Sequence, residues 1–211
     1  MRKIIFSIFL LVVAISAKAQ YAGYAPVADL SKFKVDFSVA TQKVASIKSD
    51  FVQEKNLSML SEKIISKGKF WFKKESQVRM EYNQPYQYLM IINKDKVFVK
   101  DGQKENKIST KSNKLFQQIN KIMIDCMQGT AFDNPDFKTK AFENKNSSLV
   151  ELTPVSKGLK ELFKSINIIV DKKDFSVSSI EMQELAGDNT LIRFVNKELN
   201  VIIPDALFII K

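Results

Sequence analysis

Residues 66–92, SKGKFWFKKESQVRMEYNQPYQYLMII, decide how the chain folds. They read as three consecutive β-strands, because side chains of one character recur at every second position. Phe70 and Phe72 point one way and Trp71 the other; Met80 and Tyr82 oppose Arg79 and Glu81. Over residues 86–92, Tyr86, Tyr88, Met90 and Ile92 share one face, and Leu89 and Ile91 share the other. Polar residues 73–77 and Asn83-Gln84-Pro85 break the runs and supply turns. One face is therefore rich in aromatic and methionine side chains, which fill irregular volumes and make soft contacts. Such a face is ordinarily plain core, so its meaning depends on the rest of the chain.

Working outward, residues 33–47 place Phe33, Phe37, Ala40, Val44 and Ile47 at spacings of four and three, which predicts an amphipathic helix. Residues 49–57 and 61–73 read as a strand pair, with Gly68 marking a bend or bulge. The polar loop 93–96 and the Asp101-Gly102 turn add strands 97–100 and 103–109. Residues 113–127 then change period. Leu115, Ile119, Ile122 and Cys126 form a helical stripe widened by Phe116, Met123 and Met127, with Gly129 as a cap. Strands resume at 137–144, 149–153, 162–171, 177–185 and 190–195, with a last short one at 207–210 after Pro204. The expected architecture is α+β: about 10 to 12 short antiparallel strands in a curled sheet wrapped around two amphipathic helices.

Bulk properties narrow the chemistry. Residues 1–19 have a basic start, an apolar run over 4–15 and small residues at 17 and 19, which predicts a signal peptide cleaved after Ala19 and a single domain over 20–211. Without Arg2, Lys3 and Lys18 the remainder has 30 basic and 23 acidic residues, a net +7. The lysines are scattered among acids, which argues against nucleic-acid binding. The one cysteine, Cys126, excludes an internal disulfide and reads as a small buried hydrophobe. The sequence has no histidine, which removes the Ser-His-Asp and Cys-His nucleophiles and imidazole metal sites. Neither an enzyme nor a cofactor is expected.

The chain resembles the LolA family of periplasmic carriers that ferry lipoproteins to the outer membrane. The resemblance rests on Phe51-Val52-Gln53, Gly68-Lys69-Phe70-Trp71-Phe72-Lys73-Lys74, Arg79-Met80-Glu81-Tyr82 with Pro85, Asp101-Gly102, Leu152-Thr153-Pro154 and Ile203-Pro204, in order along nearly the whole chain after residue 19. It implies an unclosed, strongly curved antiparallel β-barrel of about eleven strands, with amphipathic helices as a lid over a hydrophobic cavity. It further implies a monomeric periplasmic carrier of acylated lipoproteins, working between inner-membrane release machinery and an outer-membrane acceptor. At the position where the family often has an arginine that locks the lid, this chain has Lys74. On this reading Phe51, Phe70, Phe72, Met80, Tyr82, Tyr88, Met90 and Ile92 line an acyl-chain cavity. Phe33, Phe37, Val44, Leu115, Phe116, Ile119, Ile122 and Met123 form the lid, and Lys74 and Arg79 lock it or dock a partner. The opposite face, led by Trp71, Leu89 and Ile91, is an alternative lining. Two other functions stay open: a carrier or sensor of another envelope lipid, and an exported interaction protein whose aromatics merely fill a core.

Overall fold

The computed structural model describes residues 21–60, 62–74, 76–94, 96–102, 104–109 and 114–210, and for 105–109 and 114–120 the backbone only. The predicted signal peptide lies outside the described residues. Strands β1 (Ala25–Pro26), β2 (Ser46–Leu57), β3 (Glu62–Lys73), β4 (Gln77–Gln84), β5 (Tyr88–Asn93), β6 (Lys96–Asp101) and β7 (Lys104–Ser109) precede β8 (Phe137–Glu143), β9 (Ser147–Pro154), β10 (Phe163–Asp171), β11 (Val177–Glu184) and β12 (Asn189–Leu199). Helix α1 (Leu30–Thr41) enters before β2, α2 (Lys114–Gln128) between β7 and β8, and the four-residue α3 (Lys157–Lys160) between β9 and β10. All twelve strands form one sheet in the order β1-β8-β9-β10-β11-β12-β2-β3-β4-β5-β6-β7. β1 and β7 stand at its two ends, so the sheet does not close. This is the α+β half-barrel that the sequence predicts.

The β3–β4 ladder is irregular where β3 passes Gly68. The β3–β4 register slips between Lys67 and Gly68, and Phe51 of β2 is the direct partner of Gly68. A β-carbon at Gly68 would lie 2.1 Å from the Glu81 carbonyl oxygen and 2.7 Å from the Phe51 ring. Only glycine lets the two strands and that ring share the space. Gly129 serves α2 in the same way. Its φ of +73° ends the helix, and Thr130 N–H donates to Asp125 O at 2.9 Å.

The inner face of the sheet carries the main core. Phe51, Phe70, Phe72, Met80 and Ile92 from the first half of the sheet join Leu152, Ile166, Ile180 and Phe194 from the second, with Phe37 of α1 and Ile122 and Cys126 of α2. The outer face has two coverings. At one side Tyr21 packs edge-on to Phe142 at 5.0 Å and donates its hydroxyl proton to Glu151 (2.5 Å) and Asn167 (3.0 Å). At the other, residues 201–210 lie over Trp71, Leu89, Ile91 and Phe98 and bury Ile203 and Phe208.

Three boundaries differ from the sequence reading. Helix α1 stops at Thr41, whose hydroxyl turns back to donate to Phe37 O at 2.9 Å. Val44 therefore sits in the turn after it and Ile47 in β2, yet both are buried in the same core, which is why the helical spacing ran on past the helix. Residues 207–210 are not a strand; the chain makes a 3-10 turn at Asp205–Phe208 after Pro204, and its apolar alternation reflects packing on the outer face. Tyr86 falls in the turn at residues 85–87 and is exposed, so it leaves the face shared by Tyr88, Met90 and Ile92.

Replacing Gly68 with alanine is expected to cost at least about 2 kcal/mol of stability, because carbonyl and ring must both give way. Urea unfolding of the two proteins measures it.

Candidate functional site

Registers across β2–β6 arrange the inner face in three rows. The lowest runs Ile47, Phe72, Val78, Ile92 and Val97, and every member is buried. The middle row runs Ser49, Phe70, Met80, Met90 and Val99; Phe70 and Met80 are sealed, while Met90 and Val99 are half-buried. The top row runs Phe51, Gly68, Tyr82 and Tyr88, with Phe51 sealed and the two tyrosines half-buried. Burial therefore declines from the lowest row to the end of the sheet that carries the β4–β5 turn. All eight predicted lining residues belong to these rows. The period of two in each strand guarantees this, since residues opposite one another in register project to the same side.

The upper row is held by ring contacts and one hydrogen bond. Phe51 meets Tyr82 edge-on at 4.8 Å, and Tyr82 meets Tyr88 edge-on at 5.4 Å. Tyr82 donates its hydroxyl proton to Gln53 Oε1 at 2.9 Å. Burial, with Tyr88 beside it, pushes the Tyr82 phenol above its ordinary range, so it stays neutral at any physiological pH. Phe194 of β12 faces Phe51 in register and packs on Phe70 at 4.8 Å. The sequence reading left Phe194 out of the site, because the register that brings β12 beside β2 is not written in either strand.

The helices cover this face. Phe33 and Phe37 of α1 stack at 5.8 Å and both meet Phe132 edge-on, at 5.4 and 5.3 Å. On α2, Ile122, Cys126 and Met127 are buried, and Met123 is half-buried against the core. The side chains of Leu115, Phe116 and Ile119 lie outside the described residues. With the helices seated, Phe70, Phe72 and Ile92 have no solvent exposure. Shallow pockets lie mainly on the outer face. One of about 360 Å3 is bordered by Asp50, Val52, Lys67, Lys69 and Val195; another, of about 230 Å3, by Arg79, Glu81, Leu89 and Lys100.

Lys74 and Arg79 have separate surroundings. The Lys74 ammonium donates to the carbonyl of Gln42, the residue that caps the C-terminus of α1, and Lys74 N–H donates to Ala45 O at 3.0 Å. A cation is favourable there, where helix carbonyls lack partners. Arg79 is on the outer face, paired with Glu81 at 2.9 Å, donating to Leu207 O at 3.2 Å and lying 5.8 Å from the Trp71 ring centre. It fastens the segment 201–210, on the face opposite Phe70 and Phe72. Trp71, Leu89 and Ile91 are covered by that same segment, so the helices sit on the Phe70–Phe72 side.

Among the described residues, no three His, Cys, Asp or Glu side chains converge as metal ligands, and no helix is long and apolar enough to cross a membrane. What the site offers is a graded apolar surface under two helices.

An open, curled sheet with helices seated on its apolar inner face defines a lidded half-barrel. A sequence model of one such family, described as the outer membrane lipoprotein carrier protein LolA, matches residues 42–211, from the end of α1 onward. The chain belongs to the LolA family. No curated protein matches its sequence. Solved structures similar to it include a LolA superfamily protein from Nitrosomonas europaea, 10% identical with a TM-score of 0.45, covering 83% of this chain and 97% of that one. A putative outer membrane lipoprotein-sorting protein domain from Vibrio parahaemolyticus is 8% identical with a TM-score of 0.47, covering 83% and 94%. The lipoprotein LppX from Mycobacterium tuberculosis is 9% identical with a TM-score of 0.47, covering 82% and 96%.

Cys126 reports on the seating of α2. Burial, reinforced by Asp125, pushes its thiol up and leaves it protonated and inaccessible. In native buffer it is expected to react with a disulfide reagent at least about a hundredfold more slowly than in the unfolded chain, as followed by absorbance.

Proposed function

We propose that this protein is an envelope carrier that shelters the acyl chains of lipoproteins between its curved sheet and its helices while they pass from inner to outer membrane. The leader-like residues 1–19 and the family membership support export to the periplasm. The observation that carries the reading is the gradient of exposure across the inner face, from sealed Phe72 and Ile92 to half-buried Met90, Tyr82 and Tyr88. An apolar interior that thins toward one end has a mouth.

The task is one of transfer free energy. Each methylene exposed to water costs ~0.8 kcal/mol, so a sixteen-carbon chain costs roughly 12 kcal/mol in an aqueous compartment. Rings and methionines offset most of this by burial without directional bonds, which leaves a bilayer the better host and makes release downhill. Because Phe70, Phe72 and Ile92 are fully buried when the helices are seated, loading requires α1 and α2 to lift and the cargo to replace their contacts with the sheet. The Lys74 contact with the end of α1 is suited to holding the empty form shut. No step needs covalent chemistry. The partners that follow are an acylated lipoprotein, a release apparatus at the inner membrane and an acceptor at the outer one.

A second reading has an observation of its own. The complete burial of Phe70, Phe72 and Ile92 suits an exported interaction protein whose interior never opens. Mass spectrometry of the protein purified gently from its native envelope fraction separates the two: co-purifying lipoproteins support the carrier, free lipids a carrier of other cargo, and neither the filled core. Met90 is the informative position for mutation, since it is half-buried whereas a charge at Phe72 would sit in the core. Met90→Glu is expected to weaken binding of a fluorescent acylated peptide at least about tenfold with the fold intact by circular dichroism. Loading the wild-type protein with that peptide should speed labelling of Cys126; an unchanged rate would argue against lifting of α2.

A further inference from the structure

The end of the sheet where the interior opens also carries a protruding apolar knob. β3 has β4 as a neighbour only from Lys67 onward, so Glu62–Ser66 and the β2 residues opposite them project beyond the β4–β5 turn. At ~3.3 Å per residue, five residues amount to roughly 16 Å. The projection is braced from the other side, where β12 pairs with β2 as far as Asn189 opposite Asn56. The β2–β3 turn is also tied to the β11–β12 turn: Ser58 N–H donates to Asp188 Oδ1 at 2.9 Å and the Ser58 hydroxyl to Ala186 O at 3.3 Å. Leu185 N–H in turn donates to Leu162 O at 2.8 Å, linking the β9–β10 loop. The knob is thus a built feature of four strands.

Its apex has the wrong chemistry for water. Turns favour polar residues, yet Met59 is 91% exposed, and Leu60 and Leu185 are each 62% exposed. Ile64 and Ile65, adjacent on opposite faces of the projecting β3, are both exposed. Most charges of the projecting segments are matched, Lys63 and Arg193 on Glu54 at 2.5 Å each and Lys55 on Glu184 at 3.3 Å, while Glu62 is exposed. The described turns at the opposite end, at residues 74, 76, 94, 144–146 and 172–175, are polar apart from Phe175; the exposed apolar Ile202 at that end lies in the segment after β12 and not at the tip of paired strands.

We propose that this knob, Met59 and Leu60 with Leu185 beside them, inserts into the interface of a lipid bilayer and sets the mouth of the interior against the membrane. A convex apolar point needs a partner that conforms to it, and a fluid bilayer does so without a complementary groove. The paired charges indicate that the attraction is apolar and survives salt. The purpose assigned to the contact rests on the carrier reading; the contact itself does not.

The test is co-sedimentation of the purified protein with phosphatidylcholine vesicles at ~0.15 and ~0.5 M salt. The wild-type protein is expected to partition with less than about twofold change between the two salts, and a Met59→Ser, Leu60→Ser double variant at least about tenfold less. Both positions are exposed, so the variant should fold, and an unchanged melting temperature checks this. Absence of wild-type partitioning, equal partitioning of the variant, or collapse of binding in high salt overturns the proposal. So does a wild-type protein that dimerises through this tip, or adds an extended peptide to the β3 edge at Glu62–Ser66, instead of binding vesicles. Acylated-peptide binding is measured in parallel without vesicles. Its loss in the wild-type protein would remove the carrier reading and leave the bilayer contact standing, while its retention in the double variant would separate the knob from the cargo site.

Discussion

The Phe51 ring occupies the space that a side chain on residue 68 would need, and the rest of the architecture follows from that exchange. With glycine at 68, β3 can slip its register against β4 and draw the Glu81 carbonyl close, so the sheet bends over the ring. The bend turns three parallel rows of side chains into a concave surface. Helices can then lie in the concavity, and a flat sheet would have given them only a tangent. Phe51 also meets Tyr82 and faces Phe194, so one ring joins the two halves of the sheet at the bend.

Both faces of β3–β5 are apolar, and they are covered by unlike means. The inner face is covered by helices, which bring their own hydrogen bonds and can move as units. The outer face is covered by residues 201–210, a segment with little internal structure that is fixed by side chains of the sheet: Arg79 to Leu207 O, Asn93 to Phe208 O, and Lys73 to Asp205. A covering held by bonds to the sheet stays with it. A helix held mainly by apolar contact can exchange those contacts for others of the same kind, which is the property a reversible lid requires.

The sequence made the strands legible because alternation survives in the side chains whatever the sheet does as a whole. It also made legible which residues share a face: Phe70 with Phe72, Met80 with Tyr82, Met90 with Ile92. It did not say which face the helices take. Trp71, Leu89 and Ile91 are as apolar as their neighbours, and the covering that distinguishes them comes from a segment whose own alternation imitates a strand. Val44 and Ile47 extended the apparent helix for a related reason: a turn and a strand directed at the same core reproduce helical spacing over a short window. Phe194 was invisible as a site residue because its place depends on the pairing of β12 with β2, a relation between segments about 140 positions apart that neither one encodes by pattern. Met90, Tyr82 and Tyr88 were legible as members of the apolar face, but their graded exposure is a product of the whole sheet.

That pairing of β12 with β2 has one more consequence. The strands from β2 to β7 can zip together as successive hairpins, and so can those from β8 to β12, yet the two groups join only along the seam between β12 and β2. The seam unites an early strand with the last one, so the concave interior does not exist until almost the entire polypeptide is present. A chain that emerges from its N-terminus onward has no enclosed apolar interior until its last strand is available to pair with β2.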